Sequence, residues 1–143
     1  MASSSITGCG ALLYCRSTHR YLFLLRDTRT HRNHWGLVGG KVEAGETISA
    51  ALIRETKEEI NLDISQHKIR PLETFTSEDT NFSYHTFIVV VEEEFVPKLN
   101  HEHVGYCWVP LQRYPKPLHP GVWRTFKFDS VIEKIKTVEK LTV

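Results

Sequence analysis

The sequence predicts an α+β fold in which helices pack on a mixed β-sheet. Three observations carry that expectation: strand-like apolar stretches open the chain and recur through its middle, one segment free of glycine and proline has helical spacing near residue 50, and a second helical stripe closes the chain. Residues 6–14 and 21–25 are rich in branched and aromatic side chains and flank a polar turn at 16–20, which reads as an opening strand pair. Residues 27–35 are arginine-rich and aperiodic, hence a solvated loop. They lead into Trp35-Gly36-Leu37-Val38-Gly39-Gly40, where glycine marks tight backbone. Residues 47–60 place Ile48, Ala51 and Leu52 on one helical face, and Asn61 suits the left-handed conformation that ends a helix. Strand composition returns at 69–76 and 84–92, and a shorter candidate at 106–109 is stopped by Pro110. Pro115, Pro117 and Pro120 make the next stretch a loop. Ser130-Val131-Ile132-Glu133 then has the capping-box pattern, and Val131, Ile132, Ile135 and Val138 form the stripe of a last helix. With no repeat, low-complexity tract or linker, residues 1–143 read as one domain.

A composition of 41% hydrophobic and 24% charged residues excludes global disorder. Eighteen basic residues against seventeen acidic ones leave a net charge of +1. No overall field therefore recruits double-stranded nucleic acid or an anionic membrane, and a polyanion must be bound locally. The longest apolar runs are strand-sized, far below the roughly 20 residues of a membrane helix. Met1-Ala2-Ser3-Ser4-Ser5 has neither the basic nor the apolar region of a secretory signal. Cys9, Cys15 and Cys107 are odd in number and lack C-x-x-C spacing, which points to reduced thiols and a cytoplasmic protein. In that compartment the sequon Asn81-Phe82-Ser83 has no role.

On a wheel of roughly 100° per residue with Ile48 at zero, Leu52 falls at roughly 40° and Ala51 at roughly 300°, which defines a buried stripe. Glu59 falls at roughly 20°, Glu55 at roughly 340° and Glu58 at roughly 280°, over that stripe, while Lys57 points away. Carboxylates three and four positions apart repel by roughly 0.2–0.5 kcal/mol per pair, and partial burial raises that cost steeply. A hard divalent cation with oxygen ligands would neutralise such a cluster, so the arc reads as a metal site. A solvated acidic helix paired with Arg54 and nearby lysines has the same composition. The residues upstream decide between the two.

Gly40-Lys41-Val42-Glu43-Ala44-Gly45-Glu46, seven further residues, and Arg54-Glu55-Thr56-Lys57-Glu58-Glu59-Ile60-Asn61-Leu62 resemble the Nudix box, G-x5-E-x7-R-E-U-x-E-E-x-G-U, with U a bulky aliphatic residue. Gly40, Glu46, Arg54, Glu55, Glu58 and Glu59 match at fixed offsets, a coincidence expected on the order of once in 10⁵. Thr56 replaces the aliphatic residue and Asn61 the glycine, and neither change removes a ligand.

The resemblance implies the Nudix fold, an α/β/α sandwich on a mixed central sheet. It also implies Mg²⁺-dependent hydrolysis, with Mn²⁺ a workable substitute, of a nucleoside diphosphate linked to another moiety. It makes Glu55, Glu58 and Glu59 the metal ligands, with the Gly40 carbonyl oxygen in addition, and Arg54 and Glu46 the residues that hold them in place. Splitting a pyrophosphate requires neutralised phosphoryl oxygens, an activated water in line with the leaving oxygen, and a base. Lys41, after the double glycine, and Arg26, at the end of the second strand, are candidate phosphate contacts, each with the plain alternative of a solvated cation. Glu102 is the first choice for the base, ahead of Glu55 and Glu78. Trp35 could stack on a nucleobase, although a core or loop-anchoring role weighs more. His101 and His103 have no second ligand pair to close a zinc site and read as surface histidines. Cys107 lacks the partner pattern of a nucleophilic thiol.

At this length nothing is left over for the added amino-terminal domain that nucleotide-sugar hydrolases of the family often carry. That favours a nucleoside or deoxynucleoside triphosphate cleaved to the monophosphate and pyrophosphate. Dinucleoside polyphosphates, nucleotide sugars and capped RNA are the alternatives, and from another class a nucleotide-sensing module that does not cleave. The expected partner is a small-molecule nucleotide. A homodimer stays open, since many relatives form one.

Overall fold

The computed structural model describes residues 5–142. Residues 1–4, and with them most of the segment read as lacking a secretory signal, lie outside the described residues. Strand β1 (Ile6–Cys15) is the axis of the sheet. Along its whole length it pairs in parallel with β6 (Phe82–Val91), from Ile6↔Phe82 to Cys15↔Val91. On the other edge its last residues, Leu13 to Cys15, pair antiparallel with β2 (Arg20–Arg26). The residues before them, Gly8 to Ala11, pair antiparallel with a different strand, β4 (Val38–Lys41). β1 and β2 therefore diverge as a fork, and the glycine-rich segment fills it. β3 (Trp35–Gly36) pairs with Leu24 and Leu25 of β2, while β4 takes β1. The segment in which glycine marks tight backbone thus forms two short strands. Pairing there satisfies N–H and C=O groups that the fork would otherwise leave bare. β7 (His103–Val109) covers the outer edge of β2, and β5 (Lys68–Thr76) covers that of β6, completing a mixed seven-stranded sheet.

Alternation along β1 divides the core in two. Cys9, Ala11, Leu13 and Cys15 face Ala51, Leu52 and Ile60 of helix α1 (Ile48–Ile60), whereas Leu12 and Tyr14 join Tyr21, Phe23 and Ile88 beneath Val131 and Ile135 of helix α3 (Asp129–Leu141). Both faces of the sheet are covered, which is why β1 reads as a nearly continuous apolar run. The architecture is the α/β/α sandwich of an α+β protein.

Helix α1 starts where Thr47 accepts the Ala50 N–H and stops at Asn61, which sits in the left-handed region at φ 58° and ψ 34°. Thr56, the departure from an aliphatic residue, is fully buried, and its Oγ1 donates to the Leu52 carbonyl at 2.7 Å. The hydroxyl is therefore satisfied inside the helix itself. Helix α3 corrects the expected capping box. It begins two residues earlier, with Phe128 rather than Ser130 at the cap position and no side-chain cap. Ser130 lies inside the first turn, and Asp129 supplies the negative charge that suits a helix N-terminus. The proline-rich loop hides a further helix, α2 (Pro120–Thr125), with Pro120 at its first position and His119 Nδ1 accepting the Gly121 N–H at 3.0 Å. β7 also begins earlier than expected, at His103, which pairs with Arg26 across a register shift. Among the described residues no helix is long and apolar enough to cross a membrane.

Two substitutions at the end of α1 test this account of it. Asn61→Gly relieves the left-handed backbone and is expected to raise stability by up to about 1 kcal/mol, whereas Asn61→Ala lowers it by about 1 kcal/mol. Urea denaturation monitored by circular dichroism measures both; equal midpoints for the three proteins contradict it.

Candidate active site

The sheet-facing side of α1 carries a carboxylate into the protein. Glu59 is 1% exposed, and its Oε1 accepts the Gly39 N–H at 2.9 Å. Glycine is required here on two sides: a Cβ at Gly39 would collide with the Cys9 carbonyl oxygen of β1, and one at Gly40 would lie 2.5 Å from Glu55 Cδ of α1. The double glycine thus lets two α1 carboxylates rest against the backbone of β4. Burial pushes the Glu59 carboxyl up to about 10, the neighbouring Glu102 adds to the rise, and the Gly39 N–H opposes it. Burial likewise raises Glu55, against the lowering effect of Arg54. Glu58, at the margin of the helical stripe, is more than half exposed. The wheel placed it with the buried carboxylates, and the structure puts it on the solvent side beside Lys57.

Arg54 ties this helix to the loop before it. Its Nε and Nη2 donate to the two Glu46 oxygens at 2.7 and 2.9 Å, a planar fork against a carboxylate. Nη1 donates to Glu55 at 2.9 Å and reaches Glu58 at 3.3 Å, while Nη2 also donates to the Lys41 carbonyl at 3.0 Å. The guanidinium holds the Glu46 carboxyl down at about 2, helped by the Glu43 N–H, and its own proton is bound more tightly than usual, chiefly through Glu46.

Across from α1, the start of β7 contributes what the sequence reading missed. Oxygens of Glu59 and Glu102 and a ring nitrogen of His103 lie within 4.8 Å of one another. His103 is buried, so its reading as a surface histidine is corrected; His101 alone is exposed. Pairing with Arg26 draws residue 103 into the sheet, and no signal within residues 101–103 marks that register. Burial lowers the His103 imidazole to about 4, and Nδ1 has no hydrogen-bond partner.

On the other side of Gly39 and Gly40 lies a cavity of about 550 Å³. Phe82, Tyr84 and Thr86 line it, in the period-two row that Ile88 and Val90 continue under α3. The cavity is the end of that core which α3 leaves uncovered, flanked by α2 instead. Phe75 adds a third ring, with the Arg124 guanidinium 3.7 Å from its centroid. Arg26 also lines the cavity, and its Nε is buried without a partner.

The remaining expected residues fall outside it. Lys41 is exposed at the end of β4, and Glu78 is exposed in the β5–β6 turn, apart from the clustered carboxylates. Trp35 does not line the cavity. It packs half-buried under the α3 side, and its backbone bonds Pro117 and His119, both at 2.8 Å, which anchors the approach to α2. The alternation that aims Phe82, Tyr84 and Thr86 into the cavity is legible in the sequence, but that nothing covers them is a tertiary fact.

The NUDIX domain model matches residues 7–128. The chain is 31% identical over 117 residues to dihydroneopterin triphosphate diphosphatase of Haemophilus influenzae, covering 71% of this chain and 72% of that protein. The structure of the E. coli dihydroneopterin triphosphate pyrophosphohydrolase superposes with a TM-score of 0.62 at 25% identity, over 76% of this chain and 84% of the other. The fold matches the MutT protein from Methanosarcina mazei Go1 over 98% of this chain and 99% of that one, with a TM-score of 0.70 at 24% identity. With the box residues gathered on α1 and β4 and the matched span running through the whole sheet, the chain belongs to the Nudix hydrolase family.

Proposed function

We propose that the protein is a Mg²⁺-dependent pyrophosphohydrolase that cleaves the triphosphate of a flat heterocycle to the monophosphate and pyrophosphate. Mn²⁺ substitutes for Mg²⁺, and a nucleoside or deoxynucleoside triphosphate or a pterin-type triphosphate fits the description. One observation carries the reading: Gly39 and Gly40 touch the carboxylates of Glu59 and Glu55 and also line a cavity that presents aromatic rings and an unpartnered Arg26 Nε. The names of the relatives in Haemophilus influenzae and E. coli support a triphosphate substrate.

The donors present fit a divalent cation. Glu59 has a single backbone N–H to offset its burial, and the nearby guanidinium is already committed to other carboxylates. Glu55, Glu58 and Glu59, with the Gly40 carbonyl, would hold the ion. Bound there, it supplies neutralisation of the phosphoryl oxygens and a water of lowered pKa. Arg54 keeps the ligand side chains in register with the loop through Glu46. Glu102 stands beside Glu59 to accept the proton of the attacking water. Arg26 binds a phosphate through its free Nε–H, and Phe75, Phe82 and Tyr84 take the heterocycle by stacking. We place the reaction in the cytoplasm, a compartment that the free thiols of Cys9, Cys15 and Cys107 support.

Purified protein with Mg²⁺ is expected to convert a nucleoside or pterin-type triphosphate to its monophosphate, with ¹⁸O from labelled water in one product by mass spectrometry. Glu59→Gln lowers kcat at least about 10³-fold. Tight binding without turnover across such a panel makes the protein a sensor rather than an enzyme.

Arg26→Ala is expected to raise KM by about 10- to 100-fold, the equivalent of one lost charge-assisted hydrogen bond. An unchanged KM places the phosphates elsewhere.

Glu59 also predicts a pH dependence without metal. Its folded pKa of about 10 lies above the ordinary 4.5, so the unfolded chain loses this proton first and stability falls as pH rises from about 4.5 toward 10. With chelator present, Tm should decline between about pH 5 and pH 8 in wild type and less in Glu59→Gln. At about pH 8 the variant should melt about 3–10 °C higher, and added Mg²⁺ should recover the difference for wild type alone. Parallel Tm profiles contradict the buried charge.

A further inference from the structure

The start of β7 offers a donor that the box does not contain. His103 is 6% exposed, its Nδ1 has no partner, and a ring nitrogen lies within 4.8 Å of carboxylate oxygens of Glu59 and Glu102. A buried imidazole normally finds a hydrogen bond for each ring nitrogen, so a ring with an orphaned Nδ1, set beside two carboxylates, needs an explanation. A structural role explains it poorly, because apolar side chains would fill the same space without an orphaned atom. Pairing of residue 103 with Arg26 holds the ring on a strand rather than a loop, which is the rigidity that a ligand position calls for.

We infer that His103 is a nitrogen ligand of the cation held by Glu59, so that this site is a mixed oxygen and nitrogen donor set and prefers Mn²⁺ to Mg²⁺. The inference rests on the metal-dependent reading above and adds the identity of the preferred ion. Mg²⁺ is hard, favours oxygen donors and sheds its waters reluctantly, whereas imidazole suits first-row transition ions. Exchange of one oxygen donor for an imidazole therefore moves the preference toward Mn²⁺. Glu102, in the same cluster, stays free to take a proton.

Pulsed electron paramagnetic resonance of full-length protein loaded with Mn²⁺ tests it without reference to turnover. Nitrogen modulation from a directly bound imidazole is expected, and it should change to the ¹⁵N pattern when only the histidines are ¹⁵N-labelled. In His103→Gln the modulation should vanish. Calorimetric titration should then show the Mn²⁺ Kd rising at least about tenfold and the Mg²⁺ Kd changing by less than about threefold. Mn²⁺ bound without histidine modulation, or an unchanged ratio of Mn²⁺ to Mg²⁺ affinity in His103→Gln, overturns the inference and leaves the hydrolase reading standing. No Mn²⁺ binding by wild type at all overturns both. The labelled wild-type spectrum gives its answer even if the variant fails to fold.

Discussion

The bond from the Gly39 N–H to Glu59 Oε1 ties helix α1 to the sheet at the point where the sheet has the least side chain to offer. A carboxylate can be buried there only because β4 presents bare backbone, and β4 exists only because β1 and β2 part and leave a fork to be filled. The same two glycines touch the acidic cluster and line the cavity. A side chain at Gly40 would displace Glu55 and with it α1, one at Gly39 would break the close pairing of β4 with β1, and loss of the Gly39 bond would unpair a buried carboxylate at a cost of about 1–3 kcal/mol. Local backbone chemistry, helix docking and the geometry of the site are therefore one constraint.

Around that bond the charge does not balance. One guanidinium lies within 4 Å of carboxylates of Glu43, Glu46, Glu55 and Glu58, and Glu59 and Glu102 add to the excess. Arginine suits this post better than lysine would, since its planar fork engages both Glu46 oxygens and still leaves a nitrogen for Glu55. Among the described residues its partners do not include Glu59, whose carboxyl is raised by burial and by the neighbouring Glu102. Such perturbed, clustered carboxylates gather at functional sites, and in the proposed function a divalent ion would neutralise them.

The box was legible because its residues act locally. Thr47 and Asn61 bound α1 through their own side chain and backbone, and the wheel carried Glu59 inward on the strength of spacing alone. Glu58 escaped the wheel because a residue at the margin of a stripe is buried or exposed according to what lies opposite, which spacing does not contain. The substitution at Thr56 was settled by a hydrogen bond four residues back along the same helix. Failures gathered where distant segments meet. β3 and β4 form only in the presence of a diverging pair, and His103 is buried only through its register with Arg26. The Ser130 pattern matched a capping box, but the helix starts two residues sooner, from a cap position, Phe128, with no capping side chain.

The two faces of the sandwich divide the labour that a hydrolase of this kind requires. The α1 face gathers charge, and its carboxylates are held by Arg54 and the backbone of β4. The opposite face is apolar, and where α3 ends its coverage the row of Phe82, Tyr84 and Thr86 stays open as a cavity rather than a core. The proposed substrate, polyanionic at one end and flat at the other, would match that polarity in one orientation, its phosphates toward Arg26 and Gly40 and its ring toward Phe75 and Tyr84. The reverse orientation would desolvate phosphate charge among aromatic rings and leave Arg26 unpaired, each a penalty of several kcal/mol by transfer arguments. In the proposed function the sheet itself would then select the scissile bond, through the distance between the ring pocket and Gly39 and Gly40.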